Sequence, residues 1–294
     1  MKFTPTLILL LITLSSFSFA KVGAYQTGNI SCEMPKGEKL VIGCTNYCGR
    51  FNRWGLKWYA RKLGYDVDIV NLRSNKQSID YTQVDGILIP GGSDIDPKWY
   101  KNRVTSEMKE HIEKYEHLAE LNEIGKVRDE FEFDLVTKYF LNKNQRYQPI
   151  LGICRGMQVL TVSQGIPLYV DIKAELGIDN RRYKLDRVYV QNEESLIKEL
   201  VGLNNFRAVE LHHQGLNVEY FNQHKEKWPY LEVTSLSNKN LIAESLEFYN
   251  RPVLGVQFHP EWTFGSPRRG IFKWLLKRSC FNHVHGKKLT KGNE

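Results

Sequence analysis

The residues most able to do chemistry lie in "PILGICRGMQVL", residues 149–160, where Cys154 stands two positions from a glycine on either side, Gly152 and Gly156. An apolar run precedes the cysteine and a helix-like run follows it. A thiol at a sharp strand-to-helix turn is lifted out of the sheet. The helix N-terminus favours its thiolate, and the next backbone N–H groups face a developing oxyanion. Such a turn is tight, so its neighbours must be small, as in the G-x-S-x-G nucleophile elbow. The same residues also fit plain tight packing at a strand end. A base is therefore required before Cys154 is read as a nucleophile.

Among the eight histidines, His259 stands apart because it follows the apolar run "VLGVQF" and so emerges at a strand end. That end is where active sites lie in open α/β sheets. Glu261, two residues on, projects to the same side of an extended chain and can orient the imidazole, with Pro260 stiffening the link. A second oxyanion donor is offered by "PGGSDIDP" (90–97), where glycines let backbone N–H groups approach a substrate closely.

These residues need elements to carry them. Strands are expected at 39–44, 66–72, 85–92 and 149–154, and helices at 51–65, 128–142 and 156–165. Continuous apolar strands alternating with helices indicate an α/β fold: a mostly parallel central sheet with helices on both faces and a nucleophile elbow. Further strand candidates are 187–190, 207–213, 231–237, 241–247 and 252–260. A closing helix over 265–279 has Pro267 in its first turn. The charged segment 101–126 receives no assignment, and over 171–206 none is made beyond the strand candidate 187–190.

The chain has 294 residues with 41% hydrophobic content, enough for one sizeable domain. Its first twenty residues read as a signal peptide: Lys2, the apolar run 7–13, then small residues ending at Ala20. That run is far shorter than the ~20 residues that span a bilayer. The expected organisation is a signal peptide at 1–20, a polar segment at 21–37, a hydrolase domain at 38–282 and a basic tail at 283–294. Export to the periplasm or the medium follows, with no membrane association after cleavage. The net charge is +8, but the basic residues are scattered, which argues against a nucleic-acid partner. Of five cysteines, Cys154 is expected to stay reduced; Cys32, Cys44, Cys48 and Cys280 can form two disulfides in any of three connectivities. Cys44 and Cys48 lack partners at finger-like spacing for a metal.

Taken together, "GICRGMQ", "VQFHPEW" and "PGGSDIDP" resemble the class I glutamine amidotransferase superfamily. With "RDEFE" before the elbow and "HHQGLN" (212–217), the likeness is to its gamma-glutamyl hydrolase branch, which includes gamma-glutamyl-gamma-aminobutyrate hydrolases. It runs from about residue 39 to about residue 280. The resemblance implies that Cys154 attacks a gamma-glutamyl carbonyl to form a thioester, that His259 activates the thiol, and that Glu261 orients His259. It implies an oxyanion hole from the backbone of Gly91, Gly92 and Arg155. Gln158 would line the glutamyl pocket, with His213 and Gln214 at the substrate's alpha-carbon end. It implies no metal and no organic cofactor, and a small gamma-glutamyl molecule as partner.

One departure bears on the leaving group. Family members often carry small polar residues before "HHQ", whereas this chain has Glu210 and Leu211. If Glu210 points into the cleft, a cationic amine is favoured; the alternative is an outward strand residue. With 33 residues after Glu261 and no synthase domain among them, free-standing hydrolysis of gamma-glutamyl amides is the expected activity. An amidotransferase subunit feeding ammonia to a separate partner and a silent binding protein are the alternatives.

Overall fold

The computed structural model describes residues 30–74, 79–180 and 183–286. The expected signal peptide, most of the polar segment and residues 287–294 of the basic tail lie outside them. Eleven strands and eight α-helices follow one another among these residues. They are β1 (Leu40–Cys44), α1 (Arg50–Leu63), β2 (Val67–Asn71), β3 (Gly86–Ile89), α2 (Ser106–Tyr115), α3 (Glu123–Leu141), β4 (Ile150–Ile153) and α4 (Arg155–Ser163). The second half holds β5 (Leu168–Tyr169), α5 (Ile172–Leu176), β6 (Lys184–Val190), α6 (Leu196–Val201), β7 (Asn205–Glu210), β8 (Gly215–Leu216) and α7 (Val218–Gln223). It closes with β9 (Leu231–Ser237), β10 (Ile242–Phe248), β11 (Val253–Val256) and α8 (Ser266–Phe281).

Nine strands form one sheet in the order β2-β1-β3-β4-β11-β10-β9-β6-β7. The first five of that order run parallel; β10, β9, β6 and β7 extend the sheet by antiparallel pairing. The parallel strands are buried on both faces, which is why their sequences are unbroken apolar runs. In β4, Ile150 packs on one face and Leu151 and Ile153 on the other. Helices α3 and α4 cover the first face through Val136, Tyr139 and Leu160. The second face is covered by α1, α6 and α8 through Leu56, Ile197 and Leu275.

Several expectations shift in detail. Helix α3 begins at Glu123 rather than 128, because Asn122 caps it by accepting from the Gly125 N–H at 2.8 Å. The unassigned stretch 101–126 contains α2, capped by Thr105. Residues Asn282–Gly286 continue α8 as a π-helical turn, so the expected basic tail from 283 begins inside that turn.

The four predicted disulfide cysteines pair as Cys32–Cys280 and Cys44–Cys48, and Cys154 is free. The first bridge ties residue 32 to α8 across a sequence separation of 248. Closing so long a loop constrains the unfolded chain by about 5 kcal/mol in the chain-entropy account. Cys32→Ser is therefore expected to lower unfolding free energy by up to about 5 kcal/mol, read as a fall in the urea midpoint that reducing agent reproduces in the parent.

Candidate active site

Cys154 follows β4 and forms the N-cap of α4 with φ 51° and ψ −107°. A positive φ at a non-glycine residue costs on the order of 1–3 kcal/mol and persists only where its surroundings enforce it. Both neighbouring glycines are required. A Cβ on Gly156 would stand 2.0 Å from the Ile89 carbonyl oxygen, and one on Gly152 would stand 2.6 Å from the Gly156 backbone. The elbow thus brings α4 against β3 as closely as backbones allow.

His259 leaves the end of β11, two strands' ends meeting because β4 and β11 are parallel neighbours. Its Nδ1 is 2.8 Å from Glu261 Oε1, and its ring stacks on Trp262 with centroids 4.3 Å apart. His259 and Glu261 are buried. Burial alone would push the imidazole pKa down. The hydrogen bond and charge of Cys154, together with Glu261, outweigh it and hold the pKa at about 10 against an ordinary 6.5. Gln257, which sequence reasoning passed over, points its Nε2 at Cys154 Sγ from 3.6 Å, and the Leu211 carbonyl lies 4.0 Å from the same sulfur.

The glycine loop packs against this pair: a Cβ on Gly91 would lie 3.1 Å from His259 Cε1. Its orientation is set from beneath by α3. Arg128 donates to the Pro90 carbonyl at 2.9 Å and the Gly91 carbonyl at 3.0 Å. Because the peptide unit is planar and trans, pinning the Gly91 carbonyl aims the Gly92 N–H to the opposite side. Arg128 pairs with Glu132, which also accepts from Arg155 at 2.7 Å and from the Thr45 hydroxyl at 2.6 Å. Arg155 also pairs with Asp129. Burial pushes the Asp129 carboxyl up to about 6 in spite of that arginine. The side chain of Arg155 is fully buried in this network, so only its backbone N–H, at the first turn of α4, is placed for an oxyanion.

Gln158 is buried and donates to the Gln214 carbonyl at 2.8 Å. Gln214 turns its own side chain to the glycine loop, accepting from the Ile95 N–H at 2.9 Å. His213 lies between Asp94 at 2.9 Å and Asp171 at 3.1 Å. Glu210 points neither into the cleft nor outward. It is fully buried and accepts from Asn180 at 2.9 Å, so it cannot contact a leaving group. Burial pushes its carboxyl up to about 7.

Two cavities meet at Leu211. One, of about 600 Å³, has Gly92, Asp94, Glu120 and His213 in its walls beside Leu121 and Leu211. The other, of about 360 Å³, is bounded by Phe51, Tyr183, Trp262, Phe264 and Arg268.

The peptidase C26 family profile matches residues 69–261. Protein NtpR of Enterococcus hirae is 29% identical over 206 residues, 66% of this chain and 75% of its own. The gamma-glutamyl-gamma-aminobutyrate hydrolase PuuD of Escherichia coli K12 is 31% identical over 166 residues, 51% of this chain and 61% of its own. Among solved structures, a glutamine amidotransferase from Thermotoga maritima superposes with a TM-score of 0.51 at 15% identity, over 84% of this chain and 98% of that one, a likeness of fold. With a strained, glycine-flanked cysteine facing a strand-end histidine on this sheet, the chain belongs to the peptidase C26 family.

Proposed function

We propose that this protein is an exported cysteine hydrolase that cleaves gamma-glutamyl amides. The observation that carries this reading is the contact of His259 with Cys154 on one side and Glu261 on the other. An imidazolium beside the sulfur supports a thiolate. Cys154 Sγ attacks the gamma-carbonyl carbon, and its oxygen takes the negative charge between the N–H groups of Gly92 and Arg155. As the C–N bond breaks, His259 gives its proton to the leaving amine. The thioester is then opened by a water whose proton His259 accepts, releasing glutamate. The relative named as a gamma-glutamyl-gamma-aminobutyrate hydrolase supports this substrate class. The two disulfides support an oxidising destination.

The two cavities divide the substrate. Asp94, Glu120 and His213 suit the polar glutamyl end, including its ammonium group. The leaving amine sits on the His259 side, and Trp262, stacked on that ring, opens the aromatic cavity with Phe51, Phe264 and Tyr183. An apolar or aromatic amine is the leaving group that surface suits. On a panel of gamma-glutamyl amides, aromatic amines are expected to exceed small cationic ones by about 10-fold or more in kcat/KM. No turnover of any member would remove the reading.

The folded-state pKa of His259 lies above its ordinary value, so the imidazolium persists through neutral pH and is lost as pH rises through about 10. The alkaline limb of kcat/KM is expected near pH 10, and Glu261→Gln is expected to move it to lower pH. A limb at neutral pH, unmoved by that substitution, contradicts the ion pair.

A further inference from the structure

Behind the wall of the site, the end of β7 and the middle of β10 bring together three side chains that the reaction does not use. Glu210 closes β7, His212 follows two residues later, and Glu244 lies on β10. Both carboxylates are fully buried, and the His212 side chain is 2% exposed.

In each of the three, one polar atom is engaged and the other is not. Asn180 donates to Glu210 Oε2 at 2.9 Å, and the Ser237 hydroxyl donates to Glu244 Oε1 at 2.7 Å. His212 Nδ1 lies 2.9 Å from the Gln214 carbonyl. A carbonyl only accepts, so the proton sits on Nδ1 and Nε2 presents a lone pair. The atoms left over are Glu210 Oε1, Glu244 Oε2 and His212 Nε2, which, the contact between the two carboxyls apart, have no hydrogen-bond partner among the described residues. One ligand atom from each residue lies within 4.8 Å of the others. Two buried carboxyls and an imidazole lone pair thus share one small space, His212 Nε2 lying 3.9 Å from Glu210 Oε2 and the two carboxyls close enough to share a proton when no cation is bound. The ammonium of Lys184, a nearby cation among the described residues, is held by Asp186 at 2.8 Å and Asn180 at 3.2 Å.

We propose that Glu210, His212 and Glu244 bind one divalent cation of the zinc type. An imidazole nitrogen and carboxylate oxygens are zinc donors, and two carboxylates match the charge of the ion. A metal-binding histidine is commonly oriented by an Nδ1–H bond to a carbonyl, with its carboxylate partners hydrogen-bonded in turn, which is the arrangement of Gln214, Asn180 and Ser237 here. The ion ties β7 to β10 beside the reacting atoms without touching them. Leu211, between two of the ligand residues, turns its carbonyl to Cys154, and the Glu244 carbonyl accepts the Gln257 N–H at 3.0 Å. The inference stands independently of the hydrolase reading.

The test uses the full chain carrying Cys154→Ser, so that the thiolate cannot take the metal. The protein is stripped with a chelator and reloaded with zinc chloride, and bound zinc and Tm are measured. One zinc per chain with a raised Tm is expected. Glu244→Gln is expected to lose stoichiometric zinc, and Ser237→Ala, which only loosens Glu244, to weaken binding by about 10-fold. If Glu244→Gln does not fold, the parent's stoichiometry and Ser237→Ala still decide. Background zinc in the reloaded parent with an unmoved Tm overturns the site and leaves the carboxyls sharing a proton. Equal zinc in the parent and in Glu244→Gln overturns it as well.

Discussion

Cys154→Ala is expected to lower kcat on a gamma-glutamyl amide by at least about four orders of magnitude while leaving the fold intact. The sulfur is the only nucleophile that the elbow presents, and its removal deletes the covalent route. His259→Ala is expected to cost nearly as much, because in the proposed mechanism the same ring activates the sulfur, protonates the amine and activates water. The double variant should then be little worse than either single one, since residues that act as a unit are strongly non-additive. Initial rates on the single and double variants check this. Near-additive losses would mean that the two side chains act separately.

The second large effect lies beneath the glycine loop. Arg128, Asp129, Glu132 and Arg155 are all buried, two positive and two negative, so their charges balance without water. Removing one leaves a buried charge uncompensated, at a cost of about 3–5 kcal/mol. Arg128→Met is expected to lose that much stability. It should also lower kcat by about 100-fold or more, because the Pro90 and Gly91 carbonyls lose their clamp and the Gly92 N–H loses its aim. Arg128→Lys is expected to rescue little, since a single ammonium cannot reproduce the fork that reaches two carbonyls and Glu132 together. Urea unfolding and kcat on the same variants separate the two losses. A kcat unchanged in folded Arg128→Met would mean that the loop holds its shape unaided.

The elbow and the strands around it were legible because they obey two simple constraints: parallel strands buried on both faces read as unbroken apolar runs, and a tight turn demands glycine. Gly152, Gly156 and the runs at 39–44 and 149–154 meet both. The arginine–carboxylate network was not legible. Arg128, Asp129 and Glu132 look like a solvated helix face, and it is their burial against Arg155 that inverts the meaning of their charge. The short helices α5, α6 and α7 escaped because five or six residues are too few to show a period. Their caps, Asp171, Ser195 and Asn217, were the available signal. The burial of Glu210 is hidden for a related reason. Alternation tells which face of a strand a residue takes, but not that the face is covered.

The most direct measurement of the central claim is the mass of the protein after incubation with a glutamine-like chloroketone, followed by peptide mapping. The account predicts one adduct per chain on Cys154, blocked by a gamma-glutamyl substrate and absent from Cys154→Ala. No adduct on Cys154 in folded, reduced-thiol protein, with Cys154→Ala matching the parent across the gamma-glutamyl panel, would contradict it.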